Sequence, residues 1–130
     1  MQIGDTASMT KIFTEADIVA FAHASGDHNP VHLDEEFAAG AMFGKRIAHG
    51  MLVAGLISAI LGTQLPGPGT IYLNQTIKFK APVFIGDEIT ATAEVINIRE
   101  GKPIVTLATT CRNQAGNVVI EGEAVVMARA

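Results

Sequence analysis

A single cysteine, Cys111, stands in this 130-residue chain, so no intrachain disulfide can form. It falls in an alternating, strand-like stretch without electropositive neighbours, the setting of a packing thiol rather than a nucleophile. Basic residues are scarce too: nine Lys and Arg against thirteen Asp and Glu give a formal net charge of −4. That balance, with no basic run and no aromatics interleaved among basic residues, excludes nucleic acid as a general electrostatic partner. The longest apolar stretch, residues 51–61, is too short to span a bilayer and is interrupted by Gly55 and Ser58. The N-terminus, Met1-Gln2-Ile3-Gly4-Asp5, lacks the basic segment and apolar core of a secretory leader, so a soluble, cytoplasmic protein is expected. Metal-ligating patterns are missing as well: there is no H-x-x-x-H on a predicted helix, no H-x-H and no cysteine cluster. A site built from Asp27, His32 and His49 has no motif to support it, and no metal is expected. Nor does Ser58 sit in a G-x-S-x-G elbow, which removes the serine-hydrolase reading.

What the chain does have is apolar mass: 48% of residues are hydrophobic and 17% charged. That is enough to bury a core and to hide further surface in an oligomer. With no linker, repeat or low-complexity segment, residues 1–130 read as one domain.

Composition divides the chain into a helical, irregular first half and a strand-rich second half. Thr14, followed by Glu15 and Asp17, is an N-cap with acids in the first turn, and the helix it starts should stop near Ser25-Gly26. Asp34, Glu35 and Glu36 precede Phe37, Ala38 and Ala39, a second short helix with acids at its positive end. The run "HGMLVAGLISAILGTQLPG" predicts a third helix, ended by Pro66-Gly67, and its lack of a polar face makes it a helix buried all round. From Ile71 the period changes to two. Runs at 71–80, 89–98, 104–112 and 118–127, separated by short turn signals, predict four long strands in an antiparallel meander. A long apolar helix lying on a curved antiparallel sheet gives an α+β fold.

Proton-handling side chains concentrate in one octapeptide, "SGDHNPVH", residues 25–32. Gly26 permits an unusual backbone angle, and Pro30 limits Asn29 to extended conformations. A loop stiffened in this way can hold the Asp27 carboxylate and the His32 imidazole at a set separation, as a water-activating pair requires, with Asn29 locking the loop through its amide. The same residues read equally well as Asx turns and a helix cap with His32 packed beside them. His28 belongs to an exposed turn, and His23 offsets a helix dipole. Gly50 opens the apolar helix, so its N–H has no intrahelical partner and can hold a carbonyl oxygen gaining charge; it can equally be only the entry turn. Ser58, in mid-helix, would by default bond back to a carbonyl one turn earlier.

Three segments together, "SGDHNPVHLD", "RIAHGMLVAGLIS" and "FKAPVFIGDEI", resemble the (R)-specific enoyl-CoA hydratases of the MaoC-like, hydratase-2 group. The stretch "LPGPGTIYLNQTIKFKAPVFIGDEITA" looks closer still to the short bacterial hydratases that feed polyhydroxyalkanoate synthesis. The resemblance covers nearly the whole chain. It implies a hotdog fold, a homodimer with the acyl-CoA site near the subunit interface, and (R)-specific hydration of trans-2-enoyl-CoA to (R)-3-hydroxyacyl-CoA. By the family's pattern Asp27 and His32 are the catalytic dyad, Gly50 supplies an oxyanion-hole N–H, Asn29 supports the motif and Ser58 lies near the site. No cofactor is implied, because CoA is part of the substrate, and neither nucleic acid nor a membrane is a partner.

CoA phosphates call for local positive charge, yet Lys78, Lys80 and Arg46 are each explained as well by a solvated surface, and no CoA-binding residue is assigned. Two rivals share the fold: an acyl-CoA thioesterase, recognised by release of free thiol, and a non-catalytic acyl-CoA-binding module, which would have no need for both Asp27 and His32. A dehydratase acting on acyl carrier protein would be the same chemistry on another carrier.

Overall fold

The computed structural model describes residues 1–128, all but the last two residues of the expected domain. The first turns of chain form a strand, β1 (Thr6–Ile12), that the periodicity does not announce. Its Ser and Thr positions face solvent and its apolar content is low, because it is an edge strand: it pairs antiparallel with β4 (Glu88–Ile98) alone, with Thr10 and Thr90 hydroxyls 2.9 Å apart across the pair.

Helix α1 (Glu15–Ser25) begins and ends where its caps dictate. Thr14 Oγ1 accepts the Asp17 N–H while Asp17 Oδ2 accepts the Thr14 N–H, a reciprocal capping box. Gly26 closes the helix at φ 82°, a left-handed conformation open to glycine, and its N–H reaches Ala22 O. Next comes a single turn, α2 (Pro30–Leu33), which the loop reading of this stretch missed, then the expected α3 (Glu35–Ala39) capped by Asp34.

Helix α4 (Gly50–Thr63) lies against the sheet and supplies much of the core through Val53, Leu56, Ile57, Ile60 and Leu61. The expectation that it is buried all round is corrected. Met51 is 59% exposed, and Gly55 and Ser58 also face outward. An apolar run therefore marks both the side that packs on the sheet and a side that this chain leaves uncovered.

The strands are β2 (Ile71–Gln75), β3 (Lys78–Phe79), β4 (Glu88–Ile98), β5 (Ile104–Arg112) and β6 (Val118–Met127), in the order β1-β4-β5-β6-β2, with β3 also on β6 and every pair antiparallel. Two features of the predicted meander change. The first run is two strands, not one long one, and both pair with β6 at the far edge rather than with β4. The break falls at Thr76-Ile77, which passes directly over Gly122 of β6; a Cβ there would lie 1.8 Å from Thr76 O. Inward alternation along β4 (Ile89, Ala91, Ala93, Val95) and β5 (Val105, Leu107, Thr109, Cys111) forms the floor beneath α4. A central helix wrapped by one antiparallel sheet is the hotdog arrangement implied by the resemblance.

Candidate active site

Three consecutive side-chain-to-backbone bonds build the loop after α1. Ser25 Oγ accepts the Asp27 N–H at 3.1 Å, Asp27 Oδ1 accepts the Asn29 N–H at 3.1 Å, and Asn29 Oδ1 accepts the Val31 N–H at 3.1 Å. Each is an i, i+2 contact of the Asx or Ser/Thr type, and the last one caps α2. The capping reading and the reactive-loop reading are thus realised by the same residues. Asp27 remains exposed, with one carboxylate oxygen on the Asn29 N–H.

His32, at the third position of α2, points inward and is 8% exposed. Its Nδ1 lies 2.7 Å from Ile47 O. A carbonyl only accepts, so Nδ1 carries the hydrogen and Nε2 is a bare acceptor in the neutral ring. Burial pushes its pKa below the usual histidine value of 6.5; the Ile47 carbonyl and the Asp27 charge oppose that shift, and the neighbouring His49 adds to it.

Both side chains open on one cavity of ≈ 410 Å³. Gly50 and His49, at the start of α4, close one side, and apolar walls come from Phe43, Ile47, Val53, Phe79, Val83 and Ile120. Gly50 is the first residue of α4, so its N–H has no intrahelical acceptor and lies at the positive end of the helix. The Phe79 ring rests against its Cα: a Cβ at Gly50 would meet Phe79 Cε1 at 2.5 Å. A side chain at position 50 would have to displace that half-exposed ring.

Ser58 lies elsewhere in this chain. It lines a second groove of ≈ 400 Å³ between α4 and β2, with Gly55, Tyr72 and Asn74, and only Met51 borders both spaces. The back-bond expected of Ser58 is made in α4 by its last residue, Thr63, to Ala59 O. Asn29 supports Asp27 through its backbone N–H and the turn into α2, and does not line the cavity.

Arg46 is removed from the candidate phosphate ligands. It is 9% exposed and spent inside the fold: Nε donates to His32 O at 2.7 Å, and its two terminal nitrogens grip the Glu15 carboxylate at 2.8 and 3.0 Å. Lys80 lines the cavity and pairs with Glu121 at 3.5 Å, while Lys78 borders a separate groove on the sheet. Cys111 is fully buried and burial raises its thiol to about 12, in keeping with a packing role.

Sequence reasoning weighed His49 only as a metal ligand without a motif, and passed over the aromatic walls Phe43 and Phe79. His49 is 2% exposed, donates from Nε2 to Asp27 O at 3.0 Å and stacks on His32 with ring centroids 3.9 Å apart. Its signal was a histidine at a helix entry where Ser, Thr, Asp or Asn would be the capping residue. Asp27, His32 and His49 each offer a ligand atom within 4.8 Å of the others, the one such group among the described residues. Each ring already spends one nitrogen on a backbone carbonyl.

An acid and a neutral imidazole beside a free helix N-terminal N–H, in an apolar cavity, suit addition or removal of water at an activated carbonyl compound. Comparison with known proteins agrees. An (R)-specific enoyl-CoA hydratase of Rhodospirillum rubrum is 57% identical over 124 residues, covering 95% of this chain and 85% of the relative. The solved (R)-hydratase of Aeromonas caviae, described as involved in PHA biosynthesis, superposes with a TM-score of 0.96 at 50% identity, covering 99% of this chain and 98% of that one. An R-hydratase of Pseudomonas aeruginosa, solved without ligand, gives a TM-score of 0.92 at 49% identity, covering 98% and 82%. The MaoC like domain family matches residues 3–117, from the first residues of the chain through β5, and to that family this chain belongs.

Proposed function

We propose that this protein is an (R)-specific enoyl-CoA hydratase, adding water across trans-2-enoyl-CoA, and that Asp27 and His32 are its catalytic dyad. The observation that carries the reading is the meeting of Asp27, His32 and the first turn of α4 in one apolar cavity.

Water attacks C3 of the enoyl thioester, and the electron pair of the C2–C3 double bond moves toward the thioester oxygen. The Gly50 N–H receives the charge that develops there. Asp27 and His32 hold the water, take one of its protons as the C3–O bond forms, and return a proton to C2. Addition of both parts of water from one side is syn, and the resemblance to the (R)-specific hydratases implies the (R)-3-hydroxyacyl-CoA product. No metal or other cofactor enters this scheme, since a proton acceptor and an oxyanion donor suffice, and CoA arrives with the substrate.

The working unit in this proposal is a homodimer of single-domain subunits. Among the described residues no strand lies beside the outer edge of β2, and Ile71, Tyr72 and Leu73 are exposed there next to the uncovered face of α4. A second copy seated on that edge would cover the groove that holds Ser58, bringing that residue to the acyl site. No helix among the described residues is long and apolar enough to cross a membrane. We place the protein in the cytoplasm, supplying monomers from fatty-acid β-oxidation to polyhydroxyalkanoate synthesis.

The test is loss of the enoyl-thioester absorbance of crotonyl-CoA on adding purified protein, with chiral analysis of the product. Formation of (R)-3-hydroxybutyryl-CoA, abolished in Asp27→Asn and His32→Gln, is the expected result. Release of free thiol instead would assign a thioesterase, and binding of enoyl-CoAs without turnover would leave an acyl-CoA-binding module.

A further inference from the structure

We infer that His49 is a positioning residue that sets both members of the dyad at once, holding Asp27 through its Nε2–H and His32 through the face of its ring. The inference rests on the reading of Asp27 and His32 proposed above.

Helix formation does not account for a histidine here. His49 occupies the N-cap of α4, yet its side chain makes no capping bond; it turns inward and is 2% exposed. Packing does not account for it either. Asp27 O can only accept, so the hydrogen sits on Nε2 and Nδ1 is a bare lone pair. That Nδ1 is buried with no hydrogen-bond partner among the described residues, a state that costs stability. A phenyl ring would fill the same slot, between Phe21 at 4.8 Å and His32 at 3.9 Å, without that cost. What remains distinctive of imidazole is the Nε2–H bond to Asp27.

That bond has a place no other contact fills. Among the described residues, the bonds made by residues 26–29 stay within residues 22–32, except this one. The exposed Asp27 loop is otherwise held only to itself and its flanking helices. Through His49 it is tied to the residue next to Gly50, which fixes the acid relative to the oxyanion donor. The ring face, tilted 30° to that of His32, sets the plane in which His32 presents Nε2 to the cavity. One side chain thereby determines the mutual geometry of acid, imidazole and helix N–H. Small errors in such geometry act on turnover more than on substrate binding.

The experiment compares His49→Phe and His49→Gln with wild type and with Asp27→Asn and His32→Gln, measuring kcat and KM on crotonyl-CoA beside thermal unfolding. Phe keeps the stacking and removes the donor; the Gln amide offers an N–H in about the position of Nε2. In His49→Phe, kcat should fall roughly 100-fold with KM little changed and no loss of Tm. His49→Gln, which restores the donor but not the ring face, should recover part of the kcat and lie between His49→Phe and wild type. Wild-type kcat in His49→Phe, with both dyad variants inactive, would overturn the role of His49 and leave the dyad standing. Active dyad variants would overturn both. If the Phe variant does not fold, the Gln variant decides: a partial loss of kcat supports positioning by the donor, and a roughly 100-fold loss with Tm intact overturns it.

Discussion

Arg46→Met tests whether the frame behind the site is electrostatic. Arg46 is almost buried, and its guanidinium joins three parts of the first half of the chain. Nε donates to the His32 carbonyl at 2.7 Å, while the terminal nitrogens make a two-point contact with Glu15 of α1 and approach Glu35 of α3 at 3.8 Å. Methionine fills most of the aliphatic path and removes every one of these bonds. A charge-assisted hydrogen bond to a buried carbonyl contributes about 1.5–3 kcal/mol, and its loss also leaves His32 O without that donor. Glu15 and Glu35 are both more than half exposed, so solvent screens their pairs to about 0.5–1 kcal/mol together. The sum is about 2–4 kcal/mol, or roughly 8–16 °C in Tm at about 4 °C per kcal/mol for a chain of this size. Activity should fall as well, because the turn that carries His32 loses its tie to α1. Arg46→Lys, a point charge without the fork, should lie between wild type and Met, and Glu15→Gln should cost less than Arg46→Met. Differential scanning fluorimetry with crotonyl-CoA kinetics makes the measurement. A Met variant within about 2 °C of wild type, fully active, would refute the accounting.

Gly122→Ala would drive a Cβ to 1.8 Å from Thr76 O, a backbone atom that cannot swing aside, so β2 and β3 must lift from β6. The expected loss exceeds the ~1–3 kcal/mol of ordinary overpacking, whereas Gly62→Ala in α4, with open space around its Cβ, should gain about 0.5–1 kcal/mol; equal Tm values for the two would sink the argument. The lowered pKa of His32 has a definite sign in both stability and rate. Below 6.5 the unfolded chain takes up a proton that the folded ring resists, so this contribution to stability is complete above pH 6.5, is lost as pH falls toward the folded value, and levels off beneath it. The neutral ring is the one with a bare Nε2, so the acid limb of log kcat/KM should also lie below pH 6.5. An acid limb centred above 6.5 would show that burial and His49 do not dominate over the Ile47 carbonyl and the Asp27 charge.

Elements declared by local chemistry were legible. Thr14 with Asp17 at one end and Gly26 at the other delimit α1 without any tertiary information, and the alternation of β4 to β6 with short turns forces antiparallel pairing. Elements that depend on distant partners were not. β1 has an edge strand's composition and becomes visible only once β4 is beside it; the kink at Thr76-Ile77 is explained by Gly122, some 45 residues further along the chain. The site divides along the same line. Asp27, Asn29 and His32 lie within one octapeptide whose Gly and Pro signal a stiff loop. His49 is 17 residues beyond His32, and only packing brings the two rings together. Ser58 is legible as a motif position, but its outward side of α4 is a property of packing that an unbroken apolar run conceals.

The contrast between Asp27 and His32 shows how one short peptide sets two side chains in opposite environments. Asp27 sits in a loop whose polar side chains satisfy successive backbone N–H groups, so its carboxylate stays solvated and hydrogen-bonded. Five residues later the one-turn α2, started by Asn29 and Pro30, reverses the chain and delivers His32 beneath the surface, where an uncharged ring is favoured. The Asx turns that carry out this division also cap α2. Truncating Asn29 would therefore cost a helix cap and the separation of environments together.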